Sequence, residues 1–286
     1  MLARGGVSVK KFCTFLIALC LAHTSLALAD QVRDDNMTRI DICKQTYTEL
    51  FGYQWQPNTG KDAEFMDILQ KYIFGEVFTV GQLDMKTREM LTVTSLTAQQ
   101  TLPQLKAHLN AALNAGVKPV ELRETIYQCA PFIGFPKTLN AIGVFNEVIK
   151  ERGLESELTT SATVTEENRH QKGAAIQQPL YGNEIAEAMT GLPDDMGSEV
   201  ARFLTEFCFG DIYTRRGLDL KTRELMAIAV LVTNGQTSVL KSHIQGAIKA
   251  GNTKEEVTAA IIQCLPYVGF PNALASLKAL KELDLK

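Results

Sequence analysis

The chain has 286 residues, 45% of them hydrophobic, with 29 basic residues against 32 acidic ones and a net charge of −3. Residues 1–29 hold three of the basic residues and no acidic one, so the remainder carries 26 basic against 32 acidic, a net charge of −6. An acidic chain without basic runs argues against nucleic acid as a partner.

At the N-terminus, Lys10-Lys11 precede an apolar run from Phe12 to Leu21, and Ala27-Leu28-Ala29 fits a small-x-small cleavage site. This reads as a secretory signal cleaved after Ala29, placing the mature chain in the periplasm or outside the cell with no stable membrane anchor. The run, with His23, Thr24 and Ser25 before Asp30, is short and polar for a membrane span.

A helix is expected from Asp34 to Phe51, with Ile40, Cys43, Tyr47 and Leu50 on one side and a stop at Gly52. A second runs from Lys61 to Phe78, its apolar face formed by Phe65, Ile68, Leu69, Tyr72 and Ile73. Asp84 is placed to cap the next helix, which carries Glu89 and the apolar stretch Met90–Leu96. Then come a helix with His108 that ends at Gly116, a helix opening at Pro119 and closing at Pro131, and a tight Gly134-Phe135-Pro136 turn. The last helix of this set stops at Gly153. Residues 154–168 have no apolar periodicity and read as a linker.

After the linker the pattern returns. Leu83-Asp84-Met85-Lys86-Thr87-Arg88-Glu89 reappears as Leu218-Asp219-Leu220-Lys221-Thr222-Arg223-Glu224, and His108 as His243, at a constant offset of 135. Phe74–Val148 lies on Phe209–Leu283 without a gap, with 26 identities in 75 positions. The chain is therefore a tandem duplication, with a first repeat over residues 30–153 and a second over 169–286. Residues 173–191 do not align without gaps to the first copy, so the entry helices are expected to differ. No period-2 strand pattern occurs, and the fold class is all-α with about six helices per repeat.

Glu224 shares a helical stripe with Ile228 and Leu231, and Glu89 one with Val93 and Leu96. A carboxylate on a buried stripe is costly unless paired. The histidine nineteen residues on, flanked by Leu105 and Leu109 or by Leu240 and Ile244, is the candidate partner. A core ion pair would leave the same pattern. Four cysteines follow the signal: Cys43, Cys129, Cys208 and Cys264. None forms a Cys-x-x-Cys pair, and buried small hydrophobes are the leading reading; a Cys43–Cys208 disulfide is allowed in an oxidising compartment but not assigned.

Taken together, Leu-Asp-x-Lys-Thr-Arg-Glu, the apolar helix after it, Lys-x-His, Ala-Gly and Gln-Cys-x-Pro-x-x-Gly-Phe-Pro resemble the carboxymuconolactone decarboxylase family, which shares its helical fold with alkylhydroperoxidase D-type proteins. The resemblance implies two six-helix repeats packed as a pseudo-twofold pair, a homo-oligomer with a trimer favoured, and a cofactor-free decarboxylase or isomerase acting on a small carboxylated, lactone-like compound. Neither metal nor organic cofactor is implied. His243 and His108 are then the candidate acids and Glu224 and Glu89 their orienting groups, with the second repeat, whose motif is more regular, as the first choice. Arg223 and Arg88 are candidates for gripping a substrate carboxylate, although inter-repeat salt bridges suit them equally, and Phe270, Phe135, Phe132 and Tyr267 for lining a pocket. The peroxidase branch of this superfamily has two cysteines where this chain has Thr101 and Gln104, and Gln236 and Val239, so thiol peroxidase activity is the disfavoured alternative. A non-catalytic binding or assembly module is the third reading.

Overall fold

A computed structural model describes residues 37–285. The signal expected over residues 1–29 and the start of the first helix at Asp34 lie outside the described residues. The described part is helical, with no strand among the described residues.

The first repeat contains α1 (Arg39–Phe51), α2 (Ala63–Gly75), a 3-10 turn (Val77–Thr79), α3 (Met85–Gln99), α4 (Leu102–Asn114), α5 (Pro119–Gln128), the single turn α6 (Ala130–Ile133) and α7 (Phe135–Glu151). The second contains α8 (Arg169–Tyr181), α9 (Glu184–Ala188), α10 (Met196–Phe203) running on into a π-helical stretch (Leu204–Tyr213), then α11 (Leu220–Thr233), α12 (Thr237–Lys249) and α13 (Lys254–Lys281). α13 covers what α5, α6 and α7 cover in the first repeat, and bends at Gly269 (φ 76°), the counterpart of Gly134 (φ 78°). Both glycines occupy the left-handed region ahead of a Phe-Pro pair, so this corner needs a residue without a β-carbon.

The two central helices start as their sequence dictates. Asp84 Oδ1 accepts the Thr87 amide at 2.7 Å, and Asp219 Oδ1 accepts that of Thr222 at 2.8 Å. Neither α3 nor α11 has a solvated side. Leu91, Val93, Met226, Ile228, Val230 and Val232 are all fully buried. These helices pack against one another, so that one hydrophobic cluster draws residues from both repeats. Thr233 Oγ1 bonds Ser95 Oγ at 3.1 Å across this contact, and Thr94 Oγ1 reaches Met226 Sδ. Smaller clusters around Cys43, Tyr47 and Trp55, and around Cys208, Phe209 and Tyr213, belong to the entry helices of each repeat.

One expectation is corrected. On α2, Phe65 and Ile68 are exposed (65% and 64%), while Asp67 and Gln70 are buried. The first turns of α2 face the 53–61 loop, where Asp67 Oδ1 accepts the Asn58 amide, so a polar residue takes the inward place. The connecting residues 154–168 are pinned to both repeats: Ser161 is fully buried, Arg123 donates to Thr159 O and Ser161 Oγ, and the Arg216 amide donates to Ser161 O. The four described cysteines are free and buried, in line with their reading as small hydrophobes.

Candidate active site

The paired motif folds into two paired sites. Glu89 and Glu224 are fully buried, each carried one turn beyond the start of α3 and α11, which the Asp84 and Asp219 caps fix. α4 and α12 bring His108 and His243 against them. His108 Nδ1 lies 2.9 Å from Glu89 Oε2, and His243 Nδ1 lies 3.4 Å from Glu224 Oε2. A carboxylate accepts only, so in the first site the proton on Nδ1 belongs to the histidine and Nε2 is left to meet a ligand. The other oxygen of each glutamate, Oε1, is buried with no hydrogen-bond partner.

Each site borrows a ring from the other repeat. Tyr267 stands edge-on to His108 with centroids 5.8 Å apart, and Phe132 stands edge-on to His243 at 5.4 Å. Tyr267 and Phe132 are matched positions, so the crossing follows the pseudo-twofold. The Tyr267 hydroxyl is buried beside the Thr92 side chain, and burial, then the Glu89 carboxylate, push its phenol well above the usual range against a smaller lowering by Thr92. Phe51 and Phe74 complete the walls around His108.

The second site contains a residue that the gapless alignment hides. Tyr181 donates its hydroxyl to Glu224 Oε2 at 2.5 Å and lies 2.8 Å from His243 Nδ1. At an offset of 135 Tyr181 would match Thr46, but the entry helices follow an offset of 130. Asn114 Nδ2 donates to Leu50 O where Lys249 Nζ donates to Leu180 O, and Arg39 pairs with Glu76 where Arg169 pairs with Asp211. Tyr181 is thus the counterpart of Phe51, and five extra residues lie between α8 and the π-helical stretch. Burial, then Glu224, raise the Tyr181 phenol far above its ordinary value, and burial and the same carboxylate raise that of Tyr213.

The remaining expected site residues lie elsewhere. Arg88 and Arg223 do not face either histidine as substrate grips. Arg88 Nη1 donates to Gln263 Oε1 at 3.0 Å, and Arg223 Nη1 to Gln128 Oε1 at 2.9 Å, each across the repeat boundary. The Nη2 atoms serve backbone carbonyls such as Val80 O and Arg215 O, and Arg223 Nε is buried without a hydrogen-bond partner. Burial lowers the Arg223 pKa, opposed by Glu124, a fully buried carboxylate that the sequence reading did not single out. Glu124 takes a bidentate pair from Arg215 at 2.8 and 3.1 Å. Phe135 and Phe270 are about 60% exposed; Phe135 meets Phe207 on the surface rather than either Glu–His pair. Among the described residues no cluster of His, Cys, Asp and Glu is arranged to hold a metal ion. The thiols are buried, with Cys43 pushed up to about 11 and Cys129 and Cys264 to about 12 by desolvation.

Comparison with known proteins agrees with this layout. The family model for the carboxymuconolactone decarboxylase family matches twice, over residues 63–147 and 198–282. The 4-carboxymuconolactone decarboxylase of Acinetobacter baylyi is 27% identical over 120 residues, 42% of this chain and 90% of that protein. A nitrosuccinic acid decarboxylase of Metarhizium robertsii is 24% identical over 121 residues, 41% of this chain and 85% of its own length. Among solved structures, a Burkholderia xenovorans protein carried under the name of a gamma-carboxymuconolactone decarboxylase subunit has the same fold, with a TM-score of 0.51, 24% identity, and coverage of 83% of this chain and 93% of that one. Duplicated motif, helical architecture and two family matches lead to one assignment: the chain is a tandem two-repeat member of the carboxymuconolactone decarboxylase family.

Proposed function

We propose that the protein is a carbon–carbon lyase that removes CO2 from a small carboxylated, lactone-like compound by Glu/His acid–base chemistry. The observation that carries this reading is the Glu89–His108 pair, with a histidine nitrogen bound to a buried carboxylate and its ring set among Phe51, Phe74 and Tyr267. The named relatives that decarboxylate 4-carboxymuconolactone or nitrosuccinic acid support the reaction class.

In this reading the bond between the substrate carbon and its carboxylate breaks, CO2 departs, and the electron pair moves through the conjugated system onto the carbonyl oxygen. The Tyr267 hydroxyl, held neutral by its raised pKa, donates a hydrogen bond to that oxygen as charge develops. The imidazolium of His108 gives its Nε2 proton to carbon, and Glu89 faces the positive charge while it lasts. The substrate loses CO2 at one carbon and gains one proton at a carbon of the conjugated system, so the step balances without an oxidant. The buried thiols, held protonated, favour this over a thiol peroxidase.

The test is CO2 release from 4-carboxymuconolactone and from nitrosuccinic acid by the full chain. The expected result is turnover of at least one, with a loss on the order of 100-fold or more in His108→Gln/His243→Gln, the range for removing a general acid. Unchanged turnover in that double variant removes both histidines from the chemistry.

A further inference from the structure

The two Glu–His pairs differ at several matched places; one of them, Phe78 against Tyr213, sets a second phenol beside Glu224, and three others bear on the histidines. Where the first site has Phe51, Ala111 and Tyr267, the second has Tyr181, Gly246 and Phe132. The first two differences are one event in space. A β-carbon on Gly246 would lie 2.5 Å from Tyr181 Oη and 2.7 Å from its Cζ. The tyrosine ring has moved into the room that Ala111 fills in the first repeat, and its centroid stands 5.1 Å from that of His243, against 5.9 Å for Phe51 and His108.

A count of protons shows what the move does. Tyr181 gives its only hydroxyl proton to Glu224, so its oxygen accepts the proton on His243 Nδ1 at 2.8 Å. Nearest to the imidazole is therefore a neutral hydroxyl, with the carboxylate withdrawn to 3.4 Å. His108 has the carboxylate itself at 2.9 Å, a charge-assisted bond of the kind that steadies an imidazolium as it forms and discharges. The third difference acts in the same direction. Phe132 has no hydroxyl to meet an oxyanion, whereas Tyr267 has one that is buried and held neutral.

We propose that turnover takes place at the Glu89–His108 site alone, and that Tyr181 is a positioning residue that locks Glu224 and His243 into a triad unable to deliver a proton. The inference rests on the decarboxylase reading and reverses the preference that the more regular motif of the second repeat invites.

Three changes copy the surroundings of His108 onto His243: Phe132→Tyr, Tyr181→Phe and Gly246→Ala. They are made in the full chain, alone and with His108→Gln, and Tyr181→Phe is made by itself as a near-isosteric variant that keeps Gly246. Nitrogen-detected NMR of the imidazoles reports their hydrogen bonding without needing a substrate, and CO2 release from the relatives' two substrates reports turnover. The expected NMR result is distinct patterns for His108 and His243, with His243 alone changing in Tyr181→Phe. In the assay, His108→Gln loses on the order of 100-fold although His243 is intact, and the three added changes recover at least a tenth of the original rate. Identical patterns for the two histidines in the unaltered protein overturn the inference whatever the substrate. So does a His108→Gln protein that keeps half its turnover, which leaves the Glu/His chemistry standing and moves it to the second site. A converted second site that is folded but gives no recovery shows that Tyr181 is not the lock. Failure of the decarboxylase reading has a different signature, full activity in His108→Gln/His243→Gln.

Discussion

The buried carboxylate of Glu124 gives the most exacting test of how the repeats are joined. It sits on α5 of the first repeat and receives Arg215 through two bonds and Arg223 at 3.5 Å, both from the second repeat. Glu124→Ala leaves the wholly buried Arg223 guanidinium with neutral acceptors only, Gln128 Oε1 at 2.9 Å and Arg215 O at 2.8 Å. Breaking a buried pair by removing one partner costs about 3–5 kcal/mol, because the survivor keeps its desolvation penalty. For a unit of this size that is a fall of about 10 °C in Tm. Urea denaturation followed by circular dichroism measures the loss. Arg223→Met in the same protein takes away the stranded charge and replaces it with an apolar chain of similar volume, so the double variant is expected to regain about 2 kcal/mol. A loss below about 1 kcal/mol in Glu124→Ala, or simple additivity of the two changes, refutes the account.

Tyr267→Phe is expected to lower kcat by about 10- to 1000-fold with little change in KM, as for loss of one oxyanion donor; a raised KM with kcat unchanged would assign the hydroxyl to ground-state binding. Raised thiol pKa values mean that the unfolded chain sheds protons first as pH rises from about 9 towards 12. Stability present below pH 9 is then lost at up to about 1.4 kcal/mol per pH unit for each such thiol, so the urea midpoint should fall between pH 8 and 10.5, and fall less steeply in Cys129→Ala/Cys264→Ala; a flat profile contradicts this. Phe135, Leu139, Phe270 and Leu274 are each 48–63% exposed at matched positions, a repeated apolar surface of the kind that marks an interface. Light scattering is expected to show an oligomer, a trimer if the family pattern is followed, that Phe135→Ser/Phe270→Ser weakens, and a monodisperse monomer in the unaltered protein would refute it. Export with cleavage after Ala29 predicts Asp30 as the first residue of secreted material, read by N-terminal sequencing.

What the sequence made legible was what local rules and repetition encode. The Asp84 and Asp219 caps, the unbroken apolar character of α11 and the nineteen-residue step from Glu to His each follow from helix periodicity, and each stands in the structure as expected. Distance along the chain hid the rest. Tyr181 reaches His243 across 62 residues, and its kinship to Phe51 is masked by a change of register from 135 to 130. Had α1 and α8 been aligned on their shared Leu-aromatic-Gly ends, Leu50-Phe51-Gly52 and Leu180-Tyr181-Gly182, the extra hydroxyl would have stood out. Which of their two expected uses Arg88 and Arg223 take has no local signal, because the partners that give them the inter-repeat role, Gln263 and Gln128, belong to the opposite repeat, 175 and 95 residues away. Phe65 and Ile68 fit an apolar helical stripe, but what α2 packs against is set by the loop before it rather than by the helix itself.

The exchange of rings between the repeats, Tyr267 onto His108 and Phe132 onto His243, has a bearing on how such a protein can change over generations. In a dimer of identical subunits every mutation is written twice, once at each symmetry-related cavity, so neither cavity can drift while its twin is kept. Covalent fusion lifts that constraint. Each half still lends an aromatic wall to its neighbour, so neither can be discarded, yet the residues touching one histidine can be altered without touching the other. A gene of this form can retain one cavity under selection and release the other to explore, at the sole condition that the shared seam continues to close.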